Sequence, residues 1–269
     1  MTESWRFINS GNCSAAYNMA LDEAIAISVR KEHSPPTLRL YGWDIPSVSI
    51  GYFQKISDID VQFCIRKHIP LVRRPTGGRA ILHGNEITYG FSAKTTSDLF
   101  SKGLFDSYKK LSAALGLALS RIGVPAELNL ARETRRSTSS VRQQKNPICF
   151  QSTSYGEITM NRKKIIGSAQ KRWIDGLLQQ GSIPFIIDED DMISIFRLNT
   201  VHGMKKTFTG LQEMSPDLDI EEMKDAIRIS FEEIFGVRLD SSSPSSEEIS
   251  LARELEDRKY LSHEWNFRR

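Results

Sequence analysis

No stretch of this sequence approaches the roughly 20 consecutive apolar residues that a membrane-spanning helix needs. The N-terminal stretch MTESWRFINSGNCSAAYNMALDE has no apolar core of the kind a secretion signal carries. Cysteine is scarce. Cys13, Cys64 and Cys149 are odd in number and far apart, which fits neither a disulfide framework nor a zinc site. A reducing compartment suits such a chain, and a cytoplasmic location is expected. A strong charge of either sign is missing too: the formal net charge is +3, so there is no global field of the kind nucleic-acid binders use. Local basic patches are still available to an acidic partner. Internal repeats and a regular strand–helix–strand alternation are also absent.

What is present is an ordinary globular balance, 39% hydrophobic and 26% charged over 269 residues, enough for one sizeable core. Ser14–Lys31 places Tyr17, Leu21 and Ile25 at helical spacing and predicts a helix. Pro35–Gln54 alternates between Gly and Pro breaks and reads as two strands and a turn. DIDVQFCIRKHI predicts a helix with Cys64 on its apolar side, and Pro70–Lys94 a strand, a glycine loop and further strands. Leu104–Val124 and Asp219–Val237 are amphipathic helices that end at Gly123 and Gly236. Arg132–Asn146 is polar and basic and reads as a mobile loop, followed by three strands through Phe185. These elements predict an α+β fold, with one domain over 1–239. Residues 240–269 are expected to be a linker, DSSSPSSEE, and a C-terminal helical segment.

The densest motif is RRPTGGRAILHG, Arg73–Gly84. Paired arginines, a proline-initiated turn and paired glycines let backbone N–H groups approach an acyl carbonyl or a phosphate. A basic hairpin turn with no ligand has the same composition, and the pattern matches no Walker or dinucleotide fingerprint. Cys149 follows Pro147 between the basic loop and a strand. Free cysteines are most often small core residues, but nearby cations lower a thiol pKa, and a turn at MNRKK could fold Lys164 back toward Cys149. Lys163 and Lys164 should face opposite sides of a strand. Gly167, Ser168 and Ala169 are small enough for a chain to lie against them. His83 is either a base or a satisfied structural residue.

Together, NMALDEAI, RRPTGGRAILH and KKIIGSAQKR resemble the lipoate–protein ligase and biotin–lipoate transferase superfamily, in the family's order over about 1–237. CFQSTSYGEITMNRKKIIGSAQKRWIDGLLQQGSI is most similar to its cysteine-dependent octanoyltransferases. The resemblance implies the biotin/lipoate ligase–transferase fold, a mixed sheet flanked by helices, and makes 1–239 the catalytic acyltransferase domain. It also implies octanoate transfer from acyl carrier protein to a lipoyl-domain lysine, such as that of the glycine cleavage H protein. On this reading Cys149 forms an acyl thioester and Lys164 is the lysine of the acyl site. Arg73, Gly77, Gly78 and His83, with Gly167, Ser168 and Ala169, shape the acyl and pantetheine site. No metal or cofactor is expected, because a thioester donor is already activated. ATP-dependent ligases resemble RRxxGGGAVxHD; here Arg79 replaces the third glycine and Gly84 the aspartate.

Two readings stand beside this one within the superfamily. An ATP-dependent lipoate–protein ligase would use Lys164 on an acyl-adenylate, with ATP and Mg, and would not need Cys149. A transferase acting between lipoyl domains would also keep the loop cysteine. A reading of another class is a non-catalytic binder of nucleic acid or carrier protein through RETRRSTSSVRQQK, which the near-neutral charge disfavours.

Overall fold

The computed structural model describes residues 2–129, 157–198, 208–213 and 215–268. Cys149 and the basic segment 132–146 lie outside the described residues. Among the described residues no helix is long and apolar enough to cross a membrane.

Eleven strands in the described residues form two sheets. The larger runs in the order β11 (Arg238–Ser241), β1 (Ser4–Cys13), β2 (Thr37–Trp43), β6 (Glu86–Lys94), β10 (Gly176–Pro184), β9 (Lys163–Arg172), β8 (Glu157–Met160) and β7 (Glu127–Asn129). It is parallel at β11–β1–β2 and antiparallel from there to β7. The smaller sheet places β3 (Ser47–Ile50) between β4 (Leu71–Arg73) and β5 (Ile81–His83).

Strand alternation sorts the layers. Leu38 and Leu40 of β2 and Ile87, Tyr89 and Phe91 of β6 pack in one core with α3 (Leu104–Arg121) and α5 (Ile220–Phe235). The intervening residues Arg39, Tyr41, Thr88 and Gly90 face the opposite side, where α1 (Ala15–Arg30) lies. A Cβ on Gly90 would come within 2.6 Å of the Asp22 carboxylate, so glycine there lets a helix carboxylate rest on the sheet. α2 (Val61–Arg66) and α4 (Glu189–Phe196) pack in a separate cluster with the small sheet; Cys64 is fully buried in it.

Segment 240–269 is helical from Ser246 onward, and it packs against the sheet and α1. Asp240 and Ser241 belong to β11, and a capping box of Ser245 and Glu248 starts α6 (Ser246–Leu255) at once. Glu248 is buried and takes two hydrogen bonds from Arg6, at 2.9 and 2.6 Å. After one π-helical turn, Glu256–Tyr260, the short α7 (His263–Asn266) closes against β4. The reason is apolar: Ala252 and Tyr260 complete the cluster that covers the outer face of α1.

Candidate active site

β9 is where the sheet delivers Lys164. Its pairing with β8 contains a bulge: Ile158 opposes Ile166, yet Thr159 opposes Lys164, so Ile165 is an extra residue. Ile165 and Ile166 both join the core beneath α3. Without the bulge, Lys164 would share the face of Ile166; with it, Lys164 turns to the other side of the sheet. Lys164 is 3% exposed, its backbone is bridged to Phe208, and its carbonyl accepts from Thr209 N–H at 3.2 Å. Lys163 is only half-buried, so the pair divides as strand geometry requires.

Beyond the bulge, β9 and β10 wall a narrow slot. Met19, Tyr41, Trp43 and Ile81 supply its apolar surface, and Gly167, Ser168, Ala169 and Gly181 its small one.

Polar groups border one side of the slot in a continuous chain. His83 stacks on Trp43 with ring centroids 3.9 Å apart. Its Nδ1 lies 2.8 Å from Glu86 Oε1, and its Nε2 lies 2.7 Å from Ser49 Oγ. Toward an ionised carboxylate Nδ1 donates, and Nε2 meets the Ser49 hydroxyl. Glu86 also accepts from the hydroxyls of Thr88 and Ser182. Ser49 Oγ in turn accepts from Arg74 Nη1 at 3.0 Å. The remaining Arg74 nitrogens hold the glycine loop: Nε and Nη2 donate to the Gly77 carbonyl, and Nη2 donates to that of Arg79 at 2.6 Å. His83 is therefore a satisfied member of a chain running from a guanidinium to a carboxylate.

This changes the expected role of the arginines. Arg73 does not line the slot. Its guanidinium is fully buried and donates to the carbonyls of Gly51 and Gln54, at 2.8 and 2.7 Å, and to that of Asn266 at 3.0 Å. Trp265 Nε1–H donates to the Arg73 carbonyl at 2.8 Å. Arg73 thus anchors α7, and its neighbour Arg74 faces the slot. Nor do Gly77 and Gly78 line it. They let the loop close: Gly78 has φ of 83°, and its carbonyl oxygen lies where a Cβ on Gly51 would be, 1.9 Å away. Gly51→Ala is expected to displace this loop and lower kcat/KM for acyl transfer by about tenfold or more, since small misplacements at a reacting centre are costly. Steady-state kinetics check it; unchanged kcat/KM would mean that the loop does not position substrate.

A second network was not foreseen in the sequence. Asp22 on α1 is 2% exposed and accepts from Arg39 Nη1 at 2.8 Å, Tyr41 Oη at 2.8 Å and Gln180 Nε2 at 2.7 Å. Gln180 Oε1 accepts from Thr76 at 2.8 Å, which ties α1 to the glycine loop. Burial first, then the Asp22 charge, raises the Tyr41 hydroxyl well above the usual tyrosine range. The signal available in the sequence was NMALDEAI, where Asp22 interrupts an otherwise apolar helix face.

The family described as "Lipoyl protein ligase A/B catalytic domain" matches residues 14–232. Among curated relatives, the octanoyltransferase LipM of Geobacillus kaustophilus is 36% identical over 99% of this chain and 99% of the relative. That of Bacillus subtilis is 32% identical, also over 99% of both. Among solved structures, a putative lipoate protein ligase from T. acidophilum superposes with a TM-score of 0.80 at 23% identity, over 99% of this chain and 100% of the other. A lipoate-protein ligase A bound with ATP gives 0.78 at 24% identity, over 99% of each chain. These structures share the fold.

Proposed function

This chain belongs to the lipoyl protein ligase A/B catalytic family, and from that premise we propose the course of its reaction: octanoate passes from a thioester on acyl carrier protein to Cys149, and from Cys149 to a lysine of a lipoyl domain. The chain is an enzyme of the acyltransferase class and serves lipoate biosynthesis through octanoyl transfer. The observation that carries the reading is the full-length match to octanoyltransferases, joined to a slot walled by apolar and small residues beside β9. A relative of the same fold, a bipartite lipoate protein ligase described together with its E2 lipoyl domain, supports a lipoyl domain as acceptor.

In the first step the Cys149 thiolate attacks the acyl carbonyl, a new C–S bond forms, and the carrier thiol leaves with a proton. Exchange between thioesters is nearly isoenergetic, and transfer from thioester to amine is downhill, so neither ATP nor a cofactor is required. In the second step the lysine amine attacks, the C–N bond forms, and Cys149 is released as its thiol. The covalent intermediate divides one difficult transfer into two easier ones. Lys164 supplies the positive charge that favours the Cys149 thiolate and stabilises the developing oxyanion.

Mixing the protein with octanoyl-carrier protein and no ATP is expected to add one octanoyl mass, mapped to Cys149. An adduct that appears only with ATP and free fatty acid would replace this reading with a ligase.

Thiol reactivity provides an independent check. Burial, with the Asp60 charge behind it, pushes the Cys64 thiol up to about 11. Burial likewise raises Cys13, with Arg39 opposing. An ordinary thiol near pH 8.5 is a few per cent thiolate at neutral pH, so Cys64 should alkylate at least about a hundredfold more slowly than that. Peptide mapping after brief iodoacetamide treatment is expected to show Cys149 labelled first and protected by the octanoyl donor. Faster labelling of Cys13 or Cys64, with no protection of Cys149, would end its assignment as nucleophile.

A further inference from the structure

Beside the slot, β9 continues into a surface strip of alternating cations and aromatic rings. Ala169 lines the slot, and Lys171, two residues on, shares its side of the strand, roughly 7 Å further along. The Lys171 ammonium lies 5.3 Å from the ring centre of Tyr52 and 4.7 Å from that of Trp173. Arg268 lies 3.9 Å from the ring centres of both Tyr52 and Trp265. Ile174, next to Trp173 at the hairpin tip, is 98% exposed. Tyr52 N–H donates to the Thr76 carbonyl at 2.9 Å, so the strip is tied directly to the glycine loop.

The cations of the strip fall into two kinds. Arg30 is paired with Asp175, and Lys259 with Glu23. Among the described residues, Lys171 and Arg268 have no carboxylate within salt-bridge distance; both lie over aromatic faces, and Arg268 Nη2 also donates to the Tyr52 carbonyl at 3.1 Å. Half-burial against those rings pushes the Lys171 ammonium below the usual lysine range, with Glu23 opposing. A partly desolvated cation without a direct ion pair is costly alone and favourable once an anion arrives. Flat aromatic rings with interleaved cations and an apolar tip are the composition of a protein-docking face.

We infer that the strip formed by Lys171, Arg268, Tyr52 and Ile174 is the docking face for the donor carrier protein. Lys171 and Arg268 receive the phosphodiester that links the pantetheine arm to the carrier and the carboxylates around it. This inference rests on the transferase reading, since only a carrier-bound thioester brings that phosphodiester to the mouth of an acyl slot. The placement is economical: an arm anchored at Lys171 enters the slot past Ala169. The acceptor lysine has no phosphodiester and therefore no need of this cation pair.

The test compares two donors and one acceptor. Lys171→Glu is expected to raise KM for octanoyl-carrier protein by about tenfold at low ionic strength. It should leave kcat/KM for octanoyl-pantetheine, which lacks both phosphodiester and carrier, within about twofold. KM for the lipoyl-domain acceptor should not move, and Lys171→Arg should restore the carrier KM. Arg268→Gln provides a second variant with the same expected pattern. A rise in acceptor KM instead would assign the strip to the lipoyl domain, and equal losses with both donors would show a purely structural role; either result overturns the docking assignment. Wild-type protein that transfers octanoate from neither donor would fault the transferase reading rather than the docking face.

Discussion

Lys164→Ala is expected to slow acylation of Cys149 by about a hundredfold or more, and Lys163→Ala to leave it within about twofold. The first figure is the usual cost of deleting one preorganised charge at a developing oxyanion. The second follows from exposure, because Lys163 is half-buried at the β8–β9 turn and Lys164 is 3% exposed on the slot side of the sheet. Low local dielectric makes the buried charge matter more than its neighbour. Intact-mass time courses with octanoyl-carrier protein measure both rates. Equal rates for the two variants would show that the bulge at Ile165 does not aim Lys164 at the reacting groups.

Asp22→Ala is expected to destabilise the fold by about 3–5 kcal/mol, the range for removing one partner of a buried ion pair. Arg39 and Asp22 are both about 1% exposed in their side chains, so no water replaces the lost carboxylate. Arg39 keeps the Asn18 carbonyl and side-chain oxygen as acceptors but loses its counter-charge. Tyr41 and Gln180 lose an acceptor at the same time. Chemical denaturation reads the loss as a lower midpoint at unchanged slope. A change below about 1 kcal/mol would mean that the network is not closed to water. Transfer activity should fall beyond the stability effect, because Gln180 is the link from Asp22 to Thr76 in the glycine loop.

Both effects concern residues whose roles differ in how far the sequence exposed them. Alternation showed only that one of the two adjacent strand lysines faces inward; the family resemblance pointed to Lys164, and the bulge at Ile165 sets its side in the fold. Gly167, Ser168 and Ala169 were visible because small residues in a strand make room, and all three line the slot. The helices ending at Gly123 and Gly236 follow from apolar periodicity and from glycine's access to positive φ, 74° and 65°. α4 was not singled out: it is short, and its burial against α2 comes from the small sheet above it rather than from a long apolar stripe.

The sequence by itself determined the longer elements, the α+β class, the family and the two motifs that border the slot, because periodicity, turn chemistry and residue order are local properties. Which of two adjacent arginines meets the slot was decided only in three dimensions. In an extended chain Arg73 and Arg74 face opposite sides, and α7 happens to cover the side of Arg73. The same holds for His83, whose partners Ser49 and Glu86 come from different strands, and for Asp22, whose charge is balanced from β2. The C-terminal segment looked separable because its Ser/Pro run is polar. It is integral because Glu248 and Tyr260 satisfy buried groups of β1 and α1 more than 230 residues away in sequence, at separations of 242 and 237. Contacts at that separation leave no local pattern, since the free energy that fixes them comes from burial and charge pairing that exist only once the layers have closed.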